Sequence, residues 1–578
     1  MIFRTGSGNE SNDSGSVASA RIHRGLNQDA HSRDDMELTE NRTDRSIFVG
    51  YPEGSVSSFY VGRLMEDGAG ADFSARVVVD AANTTHRNDC RLPGSRRRSA
   101  RRMDVTTTSV RTLNELIAAL SSQPPRILSI EASIVSPHSI FLPRGFGLAG
   151  TKGPDGRTSV LSFSEGGLGL TGDNSVRDLL IVSAPNVRAI FIVAGHEAMG
   201  VLELRNLKVT GQVGLIFRGG TKAAHVVADD VHVVACDARA YCEQPQKYGV
   251  NVLQGAFTLY HFNGDPESKT TATLTNIRAG AKDAPVIGSG VFISGFGDNG
   301  GFVEIDNLTT GPIYSNGMLT YGTADFITAG VFVVYGVRAG NVDNQGEVVT
   351  YGVNDMVLDN WGSVKTWTAR APVISYGPSG IGFVNFGLVR SFRAMDEIVT
   401  YGAGARGFNQ YDGTVDSIGF DSITTHGDGS IGIQVSKPIG SLRIERDLVT
   451  HGSIGNTLVK GVNMTLPADA LSVKKGGSIN SVEIGGDIVT YGNNVVSYSV
   501  EGGEVRALRV AGRISANGEG AKAIALSDGG STPLAGVKAV ASDPAMTFSS
   551  AGGIVTDDGL ADLTATARPA NDQAGATT

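Results

Sequence analysis

The chain has 578 residues and a formal net charge of -9, which argues against a nucleic-acid partner, since such partners usually demand a basic face. Seventy-seven glycines against nineteen prolines, with 19% charged residues, fit neither a helical protein nor a typical disordered one. Evenly spread glycine among β-branched residues instead predicts many short strands joined by tight turns.

No apolar stretch is long enough to span a membrane. Met1 to Glu10 lacks the basic and then apolar order of a secretory signal, so cytoplasmic residence and export by a non-standard route both stay open. Cys90, Cys236 and Cys242 are too few for a disulfide framework. Cys236 and Cys242 could pair with each other or stay as buried thiols.

Residues 1–102 hold fifteen arginines, no lysine and fourteen acidic residues, ending in Arg96 to Arg98 and Arg101 to Arg102. Three readings are open for this segment: a basic arm for an anionic partner, a disordered leader, or translation that starts at Met103. An ordered pattern begins directly after Met103. Thr112 and Glu115 match a capping box, and the apolar positions 113, 116, 117 and 120 have helical spacing. A short helix here would cover the open end of a solenoid.

The body of the chain is periodic. Thr-Tyr-Gly or Thr-His-Gly recurs with its glycine at 322, 352, 402, 427, 452 and 492, and Ser375-Tyr376-Gly377 fills the missing step. The intervals are 30, 25, 25, 25, 25 and 40 residues. The longer two read as coils with inserted loops, or as an unmarked coil plus a shorter one. Overlaying the units gives apolar columns: Val348, Val373, Ile398, Ile423, Leu448 and Ile488, and then Leu358, Phe383, Phe408, Ile433 and Leu458. Stacked coils bury such columns, and the alternation between them makes strands. Three strands with glycine turns fit 25 residues at roughly 3.3 Å per strand residue. The prediction is an all-β, right-handed parallel β-helix over 103–558, with coils of about 25 residues, a short N-terminal capping helix and a flexible tail over 559–578.

Polar columns accompany the apolar ones. Thr320, Thr350, Ser375, Thr400, Thr425, Thr450 and Thr490 should point inward beside a turn, and Asn360, Asn385 and Gln410 form a second ladder. Neighbouring copies about 4.8 Å apart can bond one another, which meets the need of buried polar groups.

The opening segments, Ile140 to Gly150 and Leu168 to Val176 after the helix, resemble the first coils of pectin-lyase-like right-handed β-helix proteins. Asn354 to Gly362, Ser379 to Gly387 and Gly404 to Gly413 resemble an uncharacterised bacterial β-helix group, a resemblance that implies no activity. Polygalacturonase-like enzymes would carry Asn-Thr-Asp, Asp-Asp, Gly-His and Arg-Ile-Lys in successive coils. The Asp-Asp pairs at 34–35, 229–230 and 557–558 belong to no such series.

Two outward rows are candidate binding surfaces: Tyr321, Tyr351, Tyr376, Tyr401, His426, His451 and Tyr491, and the shorter Trp361, Phe386 and Tyr411. An apolar row (Val349, Ile374, Val399, Val449, Val489) runs beside the first. Ring faces could stack on sugars, bury against a second copy of the chain or a folded-back loop, or simply cover the turns. An enzyme acting on polysaccharide would need converging carboxylates or a base. Asp355, Asp359, Arg406, Asp412, His426, Asp428 and Lys437 lie in the regular coils, where each can equally be a solvated turn residue. Residues 236–266, with His261 and Asp265, and Gly295 to Gly301 interrupt the repeat, as functional loops often do. No metal-ligand spacing or nucleotide-binding fingerprint is present, and no cofactor is implied. The expectation is a non-catalytic β-helix that binds carbohydrate or a protein partner; the alternative is a polysaccharide lyase or glycosidase working along one face.

Overall fold

The computed structural model describes residues 37–41, 46–50 and 107–560, other than 155, 194, 195, 242, 324, 460 and 461. The chain divides into two units, 1–101 and 102–578. In the first, Glu37–Asn41 and Ser46–Gly50 pair antiparallel. The arginine cluster at 96–102, Cys90, Cys242 and the tail from 561 lie outside the described residues, as do the expectations attached to them.

The second unit is a parallel β-helix. In its regular part each coil contributes a long strand such as Ser363–Ala369, a three-residue strand such as Val373–Ser375, and a third such as Ile381–Asn385. Each pairs in parallel with its copy one coil later: Trp367 with Phe392, Ser375 with Thr400, Phe383 with Phe408. The 25-residue period therefore translates directly into register, and register puts equivalent side chains on top of one another. Val348, Val373, Ile398, Ile423, Leu448 and Ile488 are all fully buried, each worth about 1.5–3 kcal/mol on apolar transfer.

Where the coils depart from 25 residues, two expectations need correcting. Thr320 is exposed, and the partner of Thr350 is Ser315, 35 residues earlier; the Thr320-Tyr321-Gly322 marker belongs to a loop inserted after Asn316. Leu458 is not in the apolar column either. It lies in the antiparallel hairpin Gly455–Val459 with Val462–Leu466, while Ile433 pairs with Leu471. The 40-residue interval is thus one coil carrying an inserted hairpin, since Thr450 pairs directly with Thr490.

The N-terminal coils are built differently. Strands such as Ala198–Thr210 and Ala223–Ala235 run through what would be a turn, bending at Asn206, Asp230 and Asn276. These residues adopt positive φ (49°, 55° and 51°), a conformation that short polar side chains tolerate. Their side chains bond along the axis, Asn206 Nδ2 to Asp178 Oδ1 at 2.8 Å and Asn276 Nδ2 to Asp230 Oδ1 at 2.9 Å.

The helix Leu113–Leu120 sits between the first two paired strands, Thr107–Val110 and Ile127–Ile130. Thr112 caps it by accepting from Glu115 N at 3.2 Å, while Glu115 reaches back to Arg111 N at 2.6 Å. Leu116 is buried in the core and Leu113 and Leu120 pack against it; Ile117 faces outward.

Candidate functional site

The polar ladders position the first ring row. Thr350, Ser375, Thr400, Thr425, Thr450 and Thr490 are fully buried, and the next residue of each coil is forced outward at the same edge. Tyr351, Tyr376, Tyr401, His426, His451 and Tyr491 consequently form one unbroken stack. Successive ring centroids lie 5.4, 5.0, 4.8, 4.8 and 5.0 Å apart, with planes within 9° of parallel. Tyr376, Tyr401 and Tyr491 are 42%, 45% and 51% exposed. Tyr351 is half-buried and its hydroxyl donates to Lys282 O at 2.9 Å.

This geometry changes what the row can do. The faces of the interior rings are covered by their neighbours, so they are not open to a sugar ring; edges bearing hydroxyl and imidazole groups face solvent. Tyr321 stands outside the stack, 64% exposed in the inserted loop. Burial and then the neighbouring His426 lower the pKa of His451. The apolar row beside the rings is largely closed: Val349 and Val399 are buried and the others half-buried.

The second row is a covered surface. Trp361 is only 4% exposed, packed against Phe332 and Tyr335 and met edge-on by Tyr248 at 5.2 Å. Tyr248 also stacks on Phe386 at 4.4 Å, and Phe386 stacks on Tyr411 at 5.0 Å. Trp361 therefore presents no open face to a sugar, because Tyr248, within the 236–266 interruption, folds back over it. The interruption's strand Val250–Val252 adds to Phe326–Val333, and Glu243 anchors it through ion pairs with Arg188 (2.8 Å) and Arg218. Burial alone would raise the Glu243 pKa, but hydrogen bonding and the two guanidinium charges outweigh it and hold the carboxyl down at about 2.

The five catalytic candidates do not converge. Asp359 is fully buried on the outer side of its strand, and burial pushes its carboxyl well above the usual range. Burial outweighs the opposing effect of the Trp361 and Asn360 N–H groups beside it, and among the described residues the Asn409 amide and Arg406 Nε have no hydrogen-bond partner. Asp412 lies in the turn after Arg406–Gln410, 3.5 Å from Lys437. Asp428 lies at the opposite end of the neighbouring strand Ile431–Val435 and accepts from Ser453 N at 2.8 Å. His426 is a member of the ring stack. Asp355, also buried, accepts from Gly317 N, Gly352 N and Thr328, and burial raises its carboxyl to about 6.

Within the interruptions, His261 is buried between Thr270 Oγ1 (2.8 Å) and Ser268 Oγ (2.9 Å), and burial lowers its pKa to about 4. Cys236 is buried and is in no disulfide among the described residues. Among the described residues, no three His, Cys, Asp or Glu side chains gather as metal ligands would, and no helix is long and apolar enough to cross a membrane. Gly295 to Gly301 borders a groove, whose residues Asp298, Asn299 and Arg338 sequence reasoning did not single out. Only the break in the repeat pointed there.

Fold and surface together define a parallel β-helix with an exposed ring-edge ladder on one edge and a folded-back insert covering part of one face. No family model, no curated protein and no solved structure matches the chain.

Proposed function

We propose that the protein is a non-catalytic β-helix that holds a polysaccharide strand along its axis through the ring edges of Tyr376, Tyr401, His426, His451 and Tyr491. The observation that carries this reading is the stack itself. Its phenol and imidazole edges repeat once per coil on an exposed line, and a linear hydroxylated polymer can bond such a line at every step. Tyrosine suits the task because it joins an apolar body to a polar tip. The resemblance of the opening coils to pectin-lyase-like proteins supports a carbohydrate ligand and remains part of the proposal. A lyase or glycosidase reading has less support, because Asp359 is buried while Asp412 and Asp428 sit at opposite strand ends.

The test is retention on immobilised or gel-embedded polysaccharides. Tyr376→Ala with Tyr401→Ala should abolish retention, and Tyr376→Phe with Tyr401→Phe, which keeps the stack but removes two hydroxyls, should weaken it. Unchanged retention in both pairs would sink the reading. Release of unsaturated uronates or new reducing ends by the wild type would favour the enzymatic alternative.

A further inference from the structure

The Gly295–Gly301 interruption and the turns at Gly336 and Gly362 enclose an open groove of about 630 Å3, lined among others by Asp298, Asn299, Gly300, Arg338, Trp361 and Ser363. That volume lies within the range of small-molecule sites, roughly 300–1,000 Å3. We propose that this groove is an anion-binding site, in which Arg338 takes the carboxylate, sulfate or phosphate group of a small ligand. The site is separate from the ring stack and does not depend on the polysaccharide reading.

Charge accounting carries the argument. Arg338 is exposed on its strand, with its guanidinium 4.3 Å from the centre of the Phe302 ring, and it forms no ion pair among the described residues. Its register neighbours are Glu304 and Ser363. Glu304 is already engaged by Lys269 at 2.9 Å. The groove's own carboxylate, Asp298, is engaged by Lys247 at 2.9 Å. The uncompensated charge facing the groove is therefore positive.

Residues that line the groove with Arg338 carry donors of the kind that hold oxyanions. The backbone N–H groups of Gly297, Asp298, Asn299 and Gly300 donate to no protein acceptor among the described residues, and these four residues and Ser363 all line the groove. The Phe302 ring holds the guanidinium plane without neutralising it, leaving its fork free for bidentate bonds to a planar or tetrahedral anion.

The experiment is calorimetric titration of the full chain at low ionic strength with phosphate, sulfate and citrate, and with glucose as the neutral probe. Saturable binding of at least one anion and none of glucose is expected, weakening as salt is added. Preference for citrate would assign a carboxylate ligand, and preference for phosphate or sulfate a tetrahedral oxyanion. Arg338→Gln should weaken binding at least about tenfold with an unchanged thermal midpoint, whereas Asp298→Asn should tighten it severalfold. The Tyr376→Ala, Tyr401→Ala protein should bind the anion like wild type. No saturable anion binding, or equal affinity in wild type and Arg338→Gln, would overturn the proposal.

Discussion

At the scale of single residues, the amide ladder is hydrogen-bonded from coil to coil and the hydroxyl ladder, against expectation, is not: Thr350 and Thr425 donate to Asp355 O and Ser430 O just beyond their own turns, while Ser375 and Thr400 Oγ have no hydrogen-bond partner among the described residues. Asn360 Nδ2 donates to Asn385 Oδ1 at 2.7 Å, and Asn385 Nδ2 to Gln410 Oε1 at 3.0 Å; all three side chains are fully buried. This ladder was legible in the sequence because amide side chains, two Asn and one Gln, recurred at one repeat position. Asp469 was not legible, since no repeat marks it. It is buried with Oδ1 accepting from Val496 N at 2.8 Å; burial raises its carboxyl to about 6, against the lowering effect of that bond and of Lys474. An unfolded aspartate titrates near about 3.9, so between roughly pH 4 and 6 the native state binds the extra proton. The associated stability is complete below pH 4 and is lost as pH rises through 6. Asp469→Asn, which keeps an acceptor for Val496, should therefore gain on wild type by about 2–3 kcal/mol between pH 4 and pH 7. Urea unfolding across that range checks it, and parallel pH profiles for the two proteins would contradict it.

At the scale of elements, the inserts decide which faces remain open. The hairpin Gln246–Lys247 with Val250–Val252 turns through Tyr248 and Gly249, both at positive φ (57° and 84°), the backbone of a type I′ turn. Tyrosine is a costly choice there, and its ring explains it: Tyr248 lies on Phe386 and against Trp361. Asparagine suits this turn better, so Tyr248→Asn separates the two effects. The hairpin should persist while Trp361 becomes accessible. In a Trp367→Phe background, Trp361 emission should shift to the red and acrylamide quenching should rise; an unchanged spectrum would show that Tyr248 is not the cover. The second hairpin, Gly455–Val459 with Val462–Leu466, lies against another turn, with Thr457 Oγ1 donating to Gly404 O at 3.2 Å. Sequence spacing marked the first as an interruption and left the second open between an insert and an unmarked coil, and it gave neither destination, because neither carries the repeat that encodes position.

At the scale of the whole molecule, the helix is a one-dimensional stack in which each coil contacts its neighbours. Ser375 and Thr400 occupy equivalent places, so excision of residues 376–400 should join matching coil ends. The shortened protein should keep its β-sheet circular dichroism and unfold cooperatively. Removal of 377–400, one residue fewer, should instead shift the register, turn buried columns outward and abolish cooperative unfolding. If both deletions behaved alike, the register argument would fail.

The sequence by itself determined the coil, its three strands and its inward threonine and amide ladders, because each depends on local alternation repeated at a fixed interval, and the N-terminal helix, because its cap and apolar spacing lie within nine residues. Tertiary structure alone decided that ring faces stack on one another, that Tyr248 of the 236–266 interruption closes over Trp361, and that Arg338 faces a groove beside Asn299. Those outcomes depend on the path of inserts and on distances between side chains far apart in the chain. A repeat carries information about its own copies one coil away, and none about a loop that crosses them.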